Sequence, residues 1–146
     1  MDVETFTTTT PEETMEIGHL LATRVGELRI IALQGELGSG KTHFAKGFAS
    51  AFGIDPQNVN SPTYSLIQEY IGQNQNIYHI DAYRLNTTNE ARSIGLDELL
   101  HGDELCLIEW PEHVRELLPE DTLWVTFTRL GEQTRKIDLH FSELST

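Results

Sequence analysis

Residues Gly35-Glu36-Leu37-Gly38-Ser39-Gly40-Lys41-Thr42 fit the P-loop pattern G-x-x-x-x-G-K-[ST]. They stand between an apolar run, Ile30-Ile31-Ala32-Leu33, and a helix-like stretch that begins near Thr42. Glycines at this spacing let the backbone curl until successive N–H groups face one anion, and the helix that follows offers its positive end to the same anion. In such a loop Lys41 reaches the β- and γ-phosphates and the Thr42 hydroxyl binds Mg²⁺. The pattern therefore predicts a nucleoside triphosphate site; a plain glycine-rich turn does not require the strand before it and the helix after it.

Two carboxylates close apolar runs further on. Asp81 ends Ile77-Tyr78-His79-Ile80-Asp81, and Glu109 ends Leu105-Cys106-Leu107-Ile108-Glu109. In α/β sheets ligands gather where strand C-termini meet their loops, so both acids can converge on the P-loop. There either one can hold Mg²⁺, directly or through water, or orient an attacking water. Glu109 ends the more continuous apolar run, which reads as a buried central strand, and this favours it for the metal. Asp81 is then left to position the nucleophile or the Ser61–Thr63 connection. Strand periodicity puts His79 on the face of Asp81, as a partner of that carboxylate or as a satisfied core histidine. In Ser61-Pro62-Thr63, Pro62 biases Ser61 toward an extended backbone, giving an ordinary turn or a switch-like loop whose hydroxyl senses phosphate or metal. Trp110, directly after Glu109, reads on its own as a packing residue.

The elements that must carry these groups alternate along the chain. Thr5 to Thr9 predicts a short edge strand. Thr10-Pro11-Glu12-Glu13 predicts a helix start with an N-cap, proline in the first turn and a capping-box glutamate. Ile17, Leu20, Leu21, Val25 and Leu28 form the apolar stripe, with Gly26 near the end. Arg29 to Gln34 is the P-loop strand, and Thr42 to Phe52 the P-loop helix, its Phe44, Phe48 and Phe52 facing the sheet and Gly53 stopping it. Thr63 to Ile71 and Asn76 to Ala82 read as an antiparallel hairpin around Gly72-Gln73-Asn74-Gln75. A helix over Glu90 to Leu100, a strand over Glu104 to Glu109 and a short helix over Pro111 to Leu117 follow. A last hairpin sets Leu123, Val125 and Phe127 against Ile137, Leu139 and Phe141, with Gly131-Glu132 near the turn. These elements predict a three-layer α/β domain of P-loop NTPase type with a mixed parallel and antiparallel central sheet.

At 146 residues the chain is expected to form one domain over residues 1–146, with no room for a second folded unit. The single cysteine, Cys106, lies within an apolar run, which excludes an intrachain disulfide and favours a reducing compartment. No apolar run approaches 18 residues and no basic-plus-apolar leader opens the chain, so a cytoplasmic protein without a membrane span is expected. With 10 Lys and Arg against 23 Asp and Glu, the formal net charge is −13. A polyanion such as RNA is repelled by that balance unless a local basic patch exists, whereas solubility or a basic protein partner suits it.

The ordered set Gly35-x-Leu-Gly-x-Gly-Lys-Thr42, Ser61-Pro62-Thr63-Tyr64, His79-x-Asp81-x-Tyr83-Arg84-Leu85 and Ile108-Glu109-Trp110-Pro111 closely resembles the bacterial TsaE family, also called YjeE. The resemblance covers nearly the whole chain and implies a small P-loop ATPase. Such a protein binds ATP and Mg²⁺ and serves the N6-threonylcarbamoyl modification of adenosine next to the anticodon, in tRNAs reading codons that begin with A. It implies partners, TsaB and the transferase TsaD, with tRNA met only indirectly through their complex; a P-loop in a chain with no insert for substrate predicts hydrolysis that is weak alone and completed by groups supplied in trans. Carried over residue by residue, it implies nucleotide contacts from Glu36, Leu37, Gly38, Ser39, Gly40, Lys41, Thr42, His43, Thr63 and Trp110. It further implies metal contacts from Thr42 and Glu109, and catalytic roles for Lys41, Asp81 and Glu109. Two positions depart from the family pattern: His43 replaces a small hydroxyl residue and Tyr64 a frequent Phe. Two alternatives are a non-hydrolysing, nucleotide-dependent binding module, which the motifs alone leave open, and a small-molecule P-loop kinase, which usually needs an arginine-bearing lid over the phosphates. The seven arginines of this chain, Arg24, Arg29, Arg84, Arg92, Arg115, Arg129 and Arg135, are scattered instead.

Overall fold

A computed structural model describes residues 3–60 and 66–141. Among them one seven-stranded sheet runs through the molecule. Its strands are β1 (Val3–Thr8), β2 (Ile30–Gln34), β3 (Ile67–Tyr70), β4 (Ile77–Asp81), β5 (Leu105–Glu109), β6 (Leu123–Arg129) and β7 (Arg135–His140), in the spatial order β1-β7-β6-β2-β5-β4-β3. The four inner strands, β6, β2, β5 and β4, are mutually parallel; the outer pairs β1–β7, β7–β6 and β3–β4 are antiparallel. This is the mixed sheet expected from the sequence. Its centre follows from residue type: all of β5 and the Ile30–Leu33 run of β2 are buried, as a strand covered on both faces requires. In β6, by contrast, Leu123, Val125 and Phe127 alternate with less buried residues.

Helices cover both faces and give the three layers. On one face lie α1 (Pro11–Ala22) and α2 (Lys41–Ser50), over a core that includes Leu21, Phe44, Phe48, Leu107 and Val125. On the other lie α3 (Thr88–Ser93), α4 (Leu96–Leu100) and the 3-10 segment Pro111–Leu117, over Ile80, Leu96, Leu100, Ile108 and Val114. Phe44 and Phe48 are wholly buried, each worth about 1.5–3 kcal/mol of apolar burial, and Phe44 meets Phe127 edge-on at 5.2 Å. The start of α1 is as expected: Thr10 accepts from the Glu13 amide, Pro11 opens the helix, and the Glu13 carboxylate reaches back to the Thr9 amide.

Several boundaries differ from the sequence reading, for physical reasons. Of the apolar stripe expected for α1, Ile17, Leu21, Val25 and Leu28 pack in the core as expected, but Leu20 is exposed, the helix ends at Ala22 before Val25 and Leu28, and Thr14, Gly18 and Ala22 are buried as well. The helix turns its small residues to α2, where a Cβ at Gly18 would fall on the Phe44 carbonyl oxygen and one at Gly47 on that of Met15. The single helix expected over Glu90 to Leu100 is two short ones, because Gly95 takes a left-handed backbone (φ 79°) and serves as the N-cap of α4. The P-loop helix begins at Lys41 and stops at Ser50, not Phe52; Gly53 (φ 80°) lies just beyond, as expected of a stop signal. The Pro111–Leu117 segment is 3-10 with a kink at Val114 rather than regular α-helix. No described helix is long and apolar enough to cross a membrane.

Candidate nucleotide site

The parallel order of β2, β5 and β4 brings three strand ends together. β2 leads through Gly35 into the loop that opens α2, and in the adjoining strands Asp81 and Glu109 stand opposite each other in register. Gly38 (φ 80°) and Gly40 (φ 105°) hold the backbone in conformations that side chains resist, and Gly40 caps α2 with no side-chain hydrogen bond. The first amides of α2 are thus left to whatever the loop encloses. Ser39 is buried, and its hydroxyl has no hydrogen-bond partner among the described residues.

A cleft of about 620 Å³ opens over this edge, a size typical of small-molecule sites. Leu37, Gly38, Gly40, Lys41, Thr42, His43, Asp81, Glu109 and Trp110 line it, so most of the expected site residues converge there. Within the loop, Leu37 is 89% exposed and Glu36 is exposed as well, and so is His43 in the first turn of α2. Thr63, with Ser61 and Tyr64, lies outside the described residues. Arg84 is exposed.

Lys41 is only 5% exposed; its Nζ donates to the Gly35 carbonyl at 2.7 Å and sits 4.2 Å from the centre of the Trp110 ring. Burial holds its ammonium below the ordinary lysine value, while the charges of Glu109, Glu112 and Asp81 pull it back up. Asp81 moves the other way. Burial raises its carboxyl above the usual range, against the Tyr83 amide that donates to it; the Glu109 charge adds to the rise and Lys41 opposes it. Two carboxylates, Asp81 and Glu109, line the cleft beside this one ammonium and make its floor acidic.

His79 is fully buried and serves Glu109 rather than Asp81: its Nε2–H donates to Glu109 Oε2 at 2.6 Å. Trp110 is the one described non-glycine residue with positive φ (56°), a conformation that costs an ordinary residue about 1–2 kcal/mol. That turn lays its indole against Tyr83 at 5.0 Å and His113 at 5.9 Å, while the His113 Nδ1–H donates to the Ala82 carbonyl at 3.0 Å. The loops after β4 and β5 are tied together by this aromatic cluster. Trp110 is therefore both a packing residue and a wall of the cleft.

The sequence reading assigns no role to Pro11 and Thr14 of α1, Tyr83, or Gln133 and Arg135 at the β6–β7 turn, yet all line the cleft. Tyr83 stands within the run His79-x-Asp81-x-Tyr83-Arg84-Leu85, so its nearness to Asp81 is visible in the sequence. The others reach the site only through the α1–α2 crossing and the closing hairpin, which no local pattern announces.

Fold and site together define a three-layer α/β protein with a P-loop at the end of a central parallel strand. A family model described as "Threonylcarbamoyl adenosine biosynthesis protein TsaE" matches residues 8–137, and the chain belongs to the TsaE family. It is 42% identical over 130 residues to the tRNA threonylcarbamoyladenosine biosynthesis protein TsaE of Bacillus subtilis, covering 89% of this chain and 80% of that one. It is 36% identical over 126 residues to the protein of the same description from Treponema pallidum, covering 86% and 92%. The fold matches the crystal structure of Bacillus subtilis YdiB with a TM-score of 0.74 and 33% identity, over 94% of this chain and 84% of that one.

Proposed function

We propose that this chain is a Mg²⁺-dependent ATPase of the cytoplasm that supports the N6-threonylcarbamoyl modification of tRNA adenosine next to the anticodon, acting on a TsaB–TsaD transferase complex. The observation that carries the reading is the in-register pair Asp81 and Glu109 on the floor of a P-loop cleft, facing the buried Lys41, in a chain of the TsaE family. The residues fit the groups that the reading requires. The uncapped start of α2 and the unpartnered Ser39 hydroxyl suit phosphate oxygens. An acidic floor that must also accept a triphosphate suits a divalent cation.

In this reading Gly38 to Thr42 cradle the phosphates, Lys41 leaves the Gly35 carbonyl for them, and Thr42 with Glu109 holds the metal. Among the described residues no three His, Cys, Asp or Glu side chains are grouped to hold an ion alone. Mg²⁺ commonly takes one or two protein ligands and completes its shell with phosphate and water. When bound, it would neutralise charge that develops on the transferred phosphoryl group. Asp81, whose burial keeps it a better proton acceptor than an exposed aspartate, positions the attacking water. Trp110 and Tyr83 wall the cleft against solvent. The kinase alternative gains nothing here, since Arg135 is the one arginine lining the cleft. ATP turnover measured for the chain alone and then with TsaB, TsaD and tRNA tests the proposal. Slow turnover that rises with the partners is expected; no turnover in either condition would refute it.

A further inference from the structure

His79 has no exposed surface, yet both of its ring nitrogens are engaged by side chains. Nε2–H donates to Glu109 Oε2 at 2.6 Å, and Nδ1 is hydrogen-bonded to the Tyr70 hydroxyl at 2.9 Å. That hydroxyl also lies 3.1 Å from the Asn60 carbonyl and 2.9 Å from Gln68 Oε1. Tyr70 stands on β3, His79 on β4 and Glu109 on β5, so one chain of hydrogen bonds crosses three neighbouring strands and ends on the carboxylate at the cleft floor. The surroundings are apolar: Tyr70 packs in the cluster that holds Ile77, Leu105 and Leu107. Polar atoms in such a place are costly unless each is paired, and a leucine would fill the position of His79 without that demand. What the imidazole adds over a leucine is a fixed donor to one oxygen of Glu109.

We propose that His79, itself held by Tyr70, is a positioning residue that locks the Glu109 carboxylate with one oxygen occupied and the other left for the cleft, and thereby sets the affinity of the site for a divalent cation. The inference rests on the reading of Glu109 as the Mg²⁺-associated carboxylate. A carboxylate free to rotate loses part of its binding free energy to ordering when the ion arrives; one already hydrogen-bonded does not.

The test compares ADP binding by calorimetry in Mg²⁺ and in chelator for the wild-type chain and three variants. His79→Leu is expected to weaken the Mg²⁺-dependent part about ten- to a hundredfold, the usual scale for a partner behind a metal ligand, and to leave metal-free ADP binding unchanged. His79→Gln, whose amide N–H can reach the same oxygen, is expected to recover much of the loss. Tyr70→Phe keeps the packing but frees the ring, and a smaller loss in the same direction is expected. In the nucleotide-free protein the His79 Nε2–H proton resonance should be protected from exchange and should shift in Glu109→Gln. Equal weakening with and without Mg²⁺ in His79→Leu, or no recovery in His79→Gln, would assign the histidine to packing and overturn the proposal. Should His79→Leu not fold, unchanged Mg²⁺ dependence in Tyr70→Phe overturns it equally. A wild-type chain whose ADP binding ignores Mg²⁺ would instead remove the reading of Glu109 on which this inference stands, and the inference with it.

Discussion

Lys41 is nearly buried, and of the carboxylates that offset its burial, Asp81 and Glu109 line the cleft with it; in the proposed reading these are the groups that the metal and triphosphate meet. Lys41→Ala or Thr42→Ala is expected to keep the fold and to reduce ATP hydrolysis roughly 10²-fold or more, the scale for losing a group that stabilises transition-state charge. Circular dichroism and a turnover assay check both halves of that statement. Glu109 and Asp81 are expected to separate by phenotype. Glu109→Gln keeps the shape but loses charge, so more Mg²⁺ should be needed at saturating ATP, whereas Asp81→Asn should lower turnover at near-normal nucleotide affinity. A Mg²⁺ titration of both variants decides it, and a large metal shift in Asp81→Asn with none in Glu109→Gln would reverse the two roles. At this scale the glycine loop and the two strand-end acids are legible in the sequence, since each is a local pattern of residue types. The bond between His79 and Glu109 is not. It depends on β4 lying parallel beside β5 in one register, and periodicity alone points His79 toward Asp81, its neighbour on the same strand.

The crossing of α1 and α2 shows where an apolar-stripe reading of a helix goes astray. Leu20 fits the stripe but is exposed, and Gly18 fits no stripe but lies at the contact, because close helix approach rewards the absence of a side chain. Gly47→Ala sets two effects against each other. Alanine gains about 1 kcal/mol in helix propensity, but its Cβ would collide with the Met15 backbone, which no rotamer change relieves, and overpacking of this kind costs about 1–3 kcal/mol. Net destabilisation is expected, read as a lower urea midpoint with an unchanged slope. The centre of the sheet was easier to foresee, since β2 and β5 are unbroken apolar runs. Within β5, burial pushes the Cys106 thiol up to about 12. An unfolded thiol ionises at about 8.5, so above that pH the unfolded state loses a proton that the folded state keeps, and stability falls as pH rises through the window. Urea unfolding at pH 8 and pH 10 should show this alkaline loss in the wild type and less of it in Cys106→Ala. A disulfide-exchange reagent at pH 8 should leave the native thiol untouched and react with it in urea.

For the whole molecule, a net charge of −13 sets the terms on which it meets other macromolecules. The isolated chain is expected to bind tRNA weakly and with little dependence on salt, because few phosphates can be neutralised. Fluorescence anisotropy with labelled tRNA at two ionic strengths checks this; tight binding with a steep salt slope would reveal a basic surface that linear sequence hides. The overall architecture was readable from the alternation of elements, but not the strand order that places the P-loop strand between β5 and β6, since register and neighbour choice are settled by tertiary packing. The chain holds two tryptophans, and each lies under a cation: Lys41 over Trp110, and Arg115 over Trp124 at 4.3 Å. Only the first of these cations belongs to the cleft. Phosphates that draw Lys41 away would uncover one indole and leave the other as it was. In the proposed reading the protein thus carries its own optical gauge of occupancy, a variable emitter beside a constant one, and a label-free tryptophan fluorescence titration with ATP is expected to follow filling of the cleft.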